Sequence, residues 1–252
     1  MKFAALAAPG VLTAALLAGC GGDETSAGAA DSSTGAVIDP GDGGNYAPVL
    51  DPADFVGRID NVYLPFRPGN RWVYESEDGT ERIEVEVLSE TRVVMGITAT
   101  VVRDTVYEDG DLVEDTWDWY AQDKDGNVWY LGEDTAEYED GKIIDHNGAW
   151  EAGVDGALPG IAMWAQPVVN KSYRQEYSKG EAEDLARIEK IDGKETVQGT
   201  AYEKVVVIRE WTPLDPEFVE EKYYAPGVGV ILEVKVKGGD ERVKLVSFTP
   251  AN

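Results

Sequence analysis

Few residues in this chain could perform covalent chemistry. It has one histidine, His146, and one cysteine, Cys20. A Ser-His-Asp triad would have to use His146, which precedes Asn147-Gly148 in a turn-like setting, and no Gly-x-Ser-x-Gly elbow supplies the nucleophile. The sequence also lacks a His-Glu-x-x-His helix motif, a Gly-x-x-x-x-Gly-Lys loop and a Gly-x-Gly-x-x-Gly turn, the signatures of zinc, nucleotide-phosphate and dinucleotide chemistry. Acid-base work by carboxylates is left. With 48 acidic side chains, however, close pairs arise by chance, so their abundance points to no particular residue. No catalytic residue and no cofactor is assigned.

Two local constellations suit binding. In "DKDGNVWYLGED" (123–134), Asp123, Asp125, Asn127 and Asp134 fall at positions 1, 3, 5 and 12 of a calcium loop. The glycine required at position 6 is replaced by Val128, and Gly126 sits two places early. Asp123, Asp125 and Asn127 are therefore the metal-ligand candidates of a segment expected to be a β-turn. The second constellation is aromatic. Trp117 and Trp119 share one face of a strand by the i, i+2 rule, with Tyr120 opposite, and Trp129 and Tyr130 split in the same way on the returning strand. Indoles exposed on a sheet suit the apolar faces of sugar rings, which makes Trp117, Trp119 and Trp129 the candidate ligand-binding residues. Turned inward, each would instead fill the core with about 150–250 Å² of surface, and burial is the expected outcome.

These residues must be carried by strands. "RIEVEVL" alternates Ile83, Val85 and Val87 with charges, and "ILEVKVK" does the same with Leu232, Val234 and Val236. Asp-Gly pairs at 78–79, 109–110, 125–126, 140–141 and 192–193, with Gly238-Gly239-Asp240, punctuate the runs as hairpin turns. Residues 95–133 and 198–234 echo each other as glycine, β-branched run, turn and aromatic-Tyr-Ala step. The window 181–191 reads equally as strand or as a helical turn. The expected fold is all-β or nearly so: an antiparallel meander of hairpins, in which two similar units (71–147 and 172–250) form a sandwich or curved sheet.

The N-terminus sets the compartment. Residues 1–19 hold one charge, Lys2, and an apolar run too short to span a bilayer, which is the pattern of a secretory signal. The run ends in Leu17-Ala18-Gly19-Cys20, which resembles the lipobox of bacterial lipoproteins. The resemblance implies cleavage before Cys20, a diacylglyceryl group on its sulfur, palmitate-type acylation and a membrane anchor in the cell envelope. Residues 20–51, rich in Gly, Ala, Ser and Asp, are expected to form a disordered acidic linker, and 52–252 the β-rich domain. A second resemblance rests on Asn61-x-Tyr63-x-Pro65-x-x-Pro68-Gly69-x-x-Trp72-x-Tyr74, which is similar to the entry segment of uncharacterised secreted bacterial β-rich proteins. It implies no activity.

The formal charge of −26 becomes one unit more negative once Lys2 leaves with the signal. Such a surface repels phosphate backbones and anionic headgroups, so no nucleic-acid partner is expected, whereas divalent cations would be held loosely. The functional expectation is a membrane-anchored, non-enzymatic lipoprotein with a structural, interaction or binding role toward an envelope protein, lipid or glycan. The alternatives are a carrier of an apolar ligand in a curved sheet and a carboxylate-dependent hydrolase. A carrier would show a cavity of about 300 Å³ lined by Val101, Val206 and Ile208 with Trp117 or Trp119 at its mouth. A packed interior with Trp117 buried is the expectation.

Overall fold

A computed structural model of the protein describes residues 46–251. The signal segment, the lipobox with Cys20 and the linker through residue 45 lie outside the described residues. Within them there is no α-helix, and one 3-10 turn, Pro52–Asp54, leads into the strands. These are β1 (Phe55–Val56), β2 (Arg71–Ser76), β3 (Glu81–Val94), β4 (Ile97–Glu108), β5 (Asp111–Asp123), β6 (Val128–Glu139), β7 (Lys142–Asp145), β8 (Trp150–Glu151), β9 (Leu158–Met163), β10 (Ser172–Arg174), β11 (Glu176–Tyr177), β12 (Leu185–Val197), β13 (Thr200–Trp211), β14 (Val219–Ala225), β15 (Gly229–Lys237) and β16 (Arg242–Thr249).

All pairings are antiparallel, and neighbours in sequence are mostly neighbours in space, as expected of a meander. The spatial order runs β12-β13-β14-β15-β16-β2-β3-β4-β5-β6-β9. The two ends of this path meet on one short stretch of chain. Strand β10 pairs with β12, and β11, one residue further on, pairs with β9. The segment 172–177 thus bridges the two ends of the path and closes the sheet into a barrel, pairing with Leu185–Arg187 of β12 and with Leu158 and Pro159 of β9. Short strands β1, β7 and β8 attach outside this ring to β5 and β6.

The hairpins form where positive φ angles are available. Asp109-Gly110 (φ 50° and 93°) and Asp140-Gly141 (51° and 71°) turn as their sequence implies. Two further turns of the same kind, Met95-Gly96 and Gln198-Gly199, lack an Asp to announce them. Asp192-Gly193, by contrast, is no turn. Asp192 takes a φ of 55° inside β12, the register with β13 shifts on either side, and the strand continues to Val197. The pair is a β-bulge that bends a long stave of the barrel. Strand β12 also settles the ambiguous 181–191 window as extended chain from Leu185 onward.

Residues 59–70 cross one end of the barrel. Asn61 donates to the carbonyls of Gly126 and Trp164, Gly227 N donates to Val62 O, and the Tyr63 hydroxyl donates to Lys204 O. Leu64 and Phe66 turn inward, and Phe66 packs on Trp72 and Tyr120. The proline-bearing segment is a lid over the barrel. Packing against the domain begins upstream of residue 52, because the Tyr46 hydroxyl donates to Pro159 O and Leu50 lies against the core.

The interior is filled. Trp72, Tyr74, Tyr120, Tyr173, Phe66 and Lys222 are among its largest buried side chains. Val206 and Ile208 face inward as expected, but Val101 lies on the outer face, opposite Trp119. In β15 the expected alternation holds only in part: Leu232 is buried in the core and Val234 packs against it, but the charged face does not stay outside. Glu233 pairs with Lys222 on the inner face, while Val236 is 41% exposed outside. An inward lysine on β14 makes an inward carboxylate worth more than an inward valine, because a buried ammonium without a partner is costly.

The closing seam yields a prediction. A Cβ at Gly160 on β9 would lie 2.1 Å from the Gln175 carbonyl oxygen and 2.6 Å from Glu176 N, where β11 pairs with β9. Gly160→Ala is expected to destabilise the protein by about 3 kcal/mol or more in urea unfolding, or to prevent folding. Gly79→Ala, in an open turn with nothing near its Cβ, should cost only about 1 kcal/mol.

Candidate functional site

Strand β5 divides its aromatics between the two faces of the barrel wall. Tyr120 points in and stacks on Tyr130, with ring centroids 4.6 Å apart. Trp117 and Trp119 point out, beside Arg103 and Val101 on β4 and Asp134 on β6. Gly132 on β6 makes room for this arrangement. With no side chain and φ of 135°, it lets the Trp150 backbone approach and the Trp119 ring lie over it. Each indole is capped by a guanidinium. Arg92 Cζ sits 3.8 Å from the Trp119 ring centroid and Arg103 Cζ 5.0 Å from that of Trp117, both within cation-π range.

The arginines are themselves held. Arg92 donates to Glu151 at 2.5 Å, and Arg103 forms a two-pronged bond with the buried Asp115 at 2.8 and 2.7 Å. Between them opens a surface groove of about 400 Å³ with Val101, Trp117 and Trp119 as its floor. Glu90, Thr91, Arg92 and Asp134 form its walls. Trp119 is 4% exposed and Trp117 is only half-buried, so the expectation that Trp117 would be buried is corrected. It faces outward, where no second layer covers it.

Trp129 does not join the pair. It is buried, and its Nε1 donates to Asp123 Oδ2 at 2.9 Å. The same carboxylate accepts from Asn127 through both oxygens, and the Asn127 side-chain oxygen accepts from Ala165 N. Asp123 and Asn127 are consumed in fastening the β5–β6 turn, and Asp134 lies far along β6 beside Trp117. Among the described residues no group of three His, Cys, Asp or Glu side chains is placed to hold a metal ion. His146 is in the turn after β7, its Nδ1 2.7 Å from Thr135 O.

A second polar constellation lies inside the barrel. Lys222 Nζ is 2.7 Å from Glu210 and 2.7 Å from Glu220, and 3.9 Å from Glu233. Burial alone would push the ammonium pKa down, but these three carboxylates hold it well above the usual lysine value. Burial, reinforced by Glu220, pushes Glu233 well up. Across the interior, the Tyr130 hydroxyl lies 2.6 Å from Asp118 and 2.8 Å from Glu133, which sets one phenolic proton between two neighbouring carboxyl groups. Asp104, 1% exposed, has no hydrogen-bond partner for either carboxyl oxygen. Burial and then the charge of Asp118 raise its pKa well above the ordinary carboxylate value. The space beside Lys222, lined in part by Leu64, Gln175 and Tyr224, is about 30 Å³, room for a water or two.

Sequence reasoning missed this interior set. Alternation in "VEEKYYA" puts Glu220, Lys222 and Tyr224 on one face, but nothing in it says that this face is the buried one. Asp134, in contrast, follows from the hairpin: a turn at 124–127 brings β6 back so that Asp134 stands opposite Trp117.

No family model and no curated protein matches the chain. Two solved structures resemble it. One is a Bacteroides fragilis protein described as exported and as having a YmcC-like fold, with a TM-score of 0.45 and 13% identity over 75% of this chain and 100% of that chain. The other is a Parabacteroides distasonis protein described as a lipoprotein, with a TM-score of 0.40 and 11% identity over 75% of this chain and 99% of that chain. Likeness at this level says nothing of chemistry or partners.

Two predictions test the electrostatics. Lys222→Met strands three buried carboxyl groups and should cost about 3–5 kcal/mol in urea unfolding. At the barrel end opposite the lid, Glu81 faces Glu108 across β3 and β4. Burial, followed by Glu108, Glu241, Asp78 and Glu220, pushes its pKa from 4.5 up to about 7. The folded state therefore keeps a proton that the unfolded chain has already lost, and stability falls as pH rises from 4.5 to about 7. Glu81→Gln should remove that slope, matching wild type near pH 4 and melting a few degrees higher near pH 8.

Proposed function

We propose that the protein is a lipid-anchored envelope lipoprotein whose barrel serves as a non-enzymatic binding or interaction module. The lipobox at Leu17-Ala18-Gly19-Cys20 supports the anchor and the extracytoplasmic location. Two or three acyl chains on one residue suffice for stable attachment, since each buried methylene contributes about 0.8 kcal/mol. The acidic surface stands away from an anionic membrane, and residues 20–45 are long enough to hold it there.

The observation that carries the binding reading is the filled interior. A carrier needs an enclosed volume of about 300 Å³ or more, and the inward side chains of β13 and β14 instead pack onto the lid and onto Lys222. A hydrolase built from Asp104, Asp118 and Glu133 would have its carboxyl groups behind that same packing, out of reach of a substrate. Ligands are met on the outside of the wall.

Cys20→Ser is expected to abolish labelling by a palmitate analogue and to release the protein from the membrane fraction. A wild-type protein that takes up no label would overturn the anchor. Solvent extraction of the released variant should yield no stoichiometric lipid. One lipid per chain would favour the carrier instead.

A further inference from the structure

We propose that the outer groove over Trp117 and Trp119 binds a neutral carbohydrate chain. This deepens the binding-module reading and rests on it. The groove's volume, about 400 Å³, falls within the range of small-molecule sites, and its floor is aromatic and aliphatic. The partly exposed Trp117 offers an apolar surface to the C–H face of a sugar ring. The walls place donors and acceptors side by side. Arg92 can donate, while Glu90 and Asp134, which have no side-chain partner among the described residues, can accept. Vicinal hydroxyls, each both donor and acceptor, fit that mixture.

Charge selects among ligands. An anionic chain would meet Glu90, Asp134 and the field of a chain with formal charge −26. Arg92 and Arg103 offer it little net charge, because both are already paired to carboxylates, Glu151 and Asp115, although Arg92 keeps N–H groups that can donate. An organic cation would seek the indole faces, but each indole is already capped by a guanidinium. A neutral polyol avoids the charge conflict, and it can lie against the part of Trp117 that Arg103, 5.0 Å from the ring centroid, leaves exposed. The site is also held in place before any ligand arrives: Gly132 seats Trp119, Asp115 fixes Arg103 and Glu151 fixes Arg92.

The test is calorimetric titration of the detergent-solubilised full-length protein with cellohexaose, maltohexaose and chitohexaose, with hexagalacturonate and choline as charged comparisons. At least one neutral hexasaccharide should bind with a Kd of about 1 mM or tighter. Trp117→Ala should weaken that binding about tenfold or more, and Trp117→Phe should weaken it less. Asp134→Ala, on the exposed rim, should also weaken it and does not depend on an indole for folding. No binding of any neutral hexasaccharide up to about 10 mM would overturn the proposal, as would unchanged affinity in both Trp117→Ala and Asp134→Ala. Tighter binding of hexagalacturonate or choline would overturn it too. Palmitate labelling reads the anchor and lipid extraction reads the packed, non-carrier module, so failure of the glycan titration is distinguishable from failure of the reading it rests on.

Discussion

Closure of the sheet is the constraint on which the rest of the structure depends. A sheet of long, two-sided strands has two edges of unpaired amides and carbonyls, and here residues 172–177 bridge one to the other, pairing with the start of β12 and the start of β9. Once the ring is shut it has an inside, and that inside must be filled. This is why aromatic rings and the lid residues Leu64 and Phe66 crowd the interior. It is also why Gly160 must be glycine: the Gln175–Glu176 backbone passes where a methyl group would stand.

The same enclosure dictates the electrostatics. Lys222 is the ammonium around which Glu210, Glu220 and Glu233 are gathered, and with Asp104, Asp118 and Glu133 the inner wall carries more carboxyl groups than that one charge can balance. Low polarisability inside disfavours charge on the excess acids, and burial raises the pKa of Asp104 and of Glu233 well above the ordinary carboxylate value. The barrel interior is therefore a polar network under packing constraint, whereas on the outer wall Trp117 is left partly open to solvent.

The strands and most turns were legible in the sequence because alternation and Asp-Gly pairs are local signals. Strand β3 shows this: Ile83, Val85 and Val87 are all inside. Alternation gives a strand's two faces without saying which is inner, so in β15, where Leu232 is buried as expected, the same reasoning missed the inward Glu233 and the exposed Val236. Asp192-Gly193 failed for a related reason, since a positive φ serves a bulge as well as a turn. In the candidate site, Trp117 and Trp119 were legible as one face of a strand, and Trp129 was misleading because its indole N–H is bound by Asp123 in the neighbouring turn. Arg92 was not legible at all: it reaches Trp119 from β3, beyond the hairpin that the sequence makes visible.

One pairing stands apart from the others in how far the chain must travel to make it. Most strands meet a partner made shortly before or after them, but β2 is hydrogen-bonded to β16, with Tyr74 opposite Leu245 and Trp72 stacked on Phe248. A chain that emerges from its N-terminal end can zip β2 to β3 and continue hairpin by hairpin, yet the far side of β2 stays open until the last strand appears. Loop-closure entropy makes that final join slow compared with the hairpins. The ring is thus shut by a join between the first and last long strands of the chain, and without the eight-residue β16 the ribbon would lack the strand that pairs with the far side of β2.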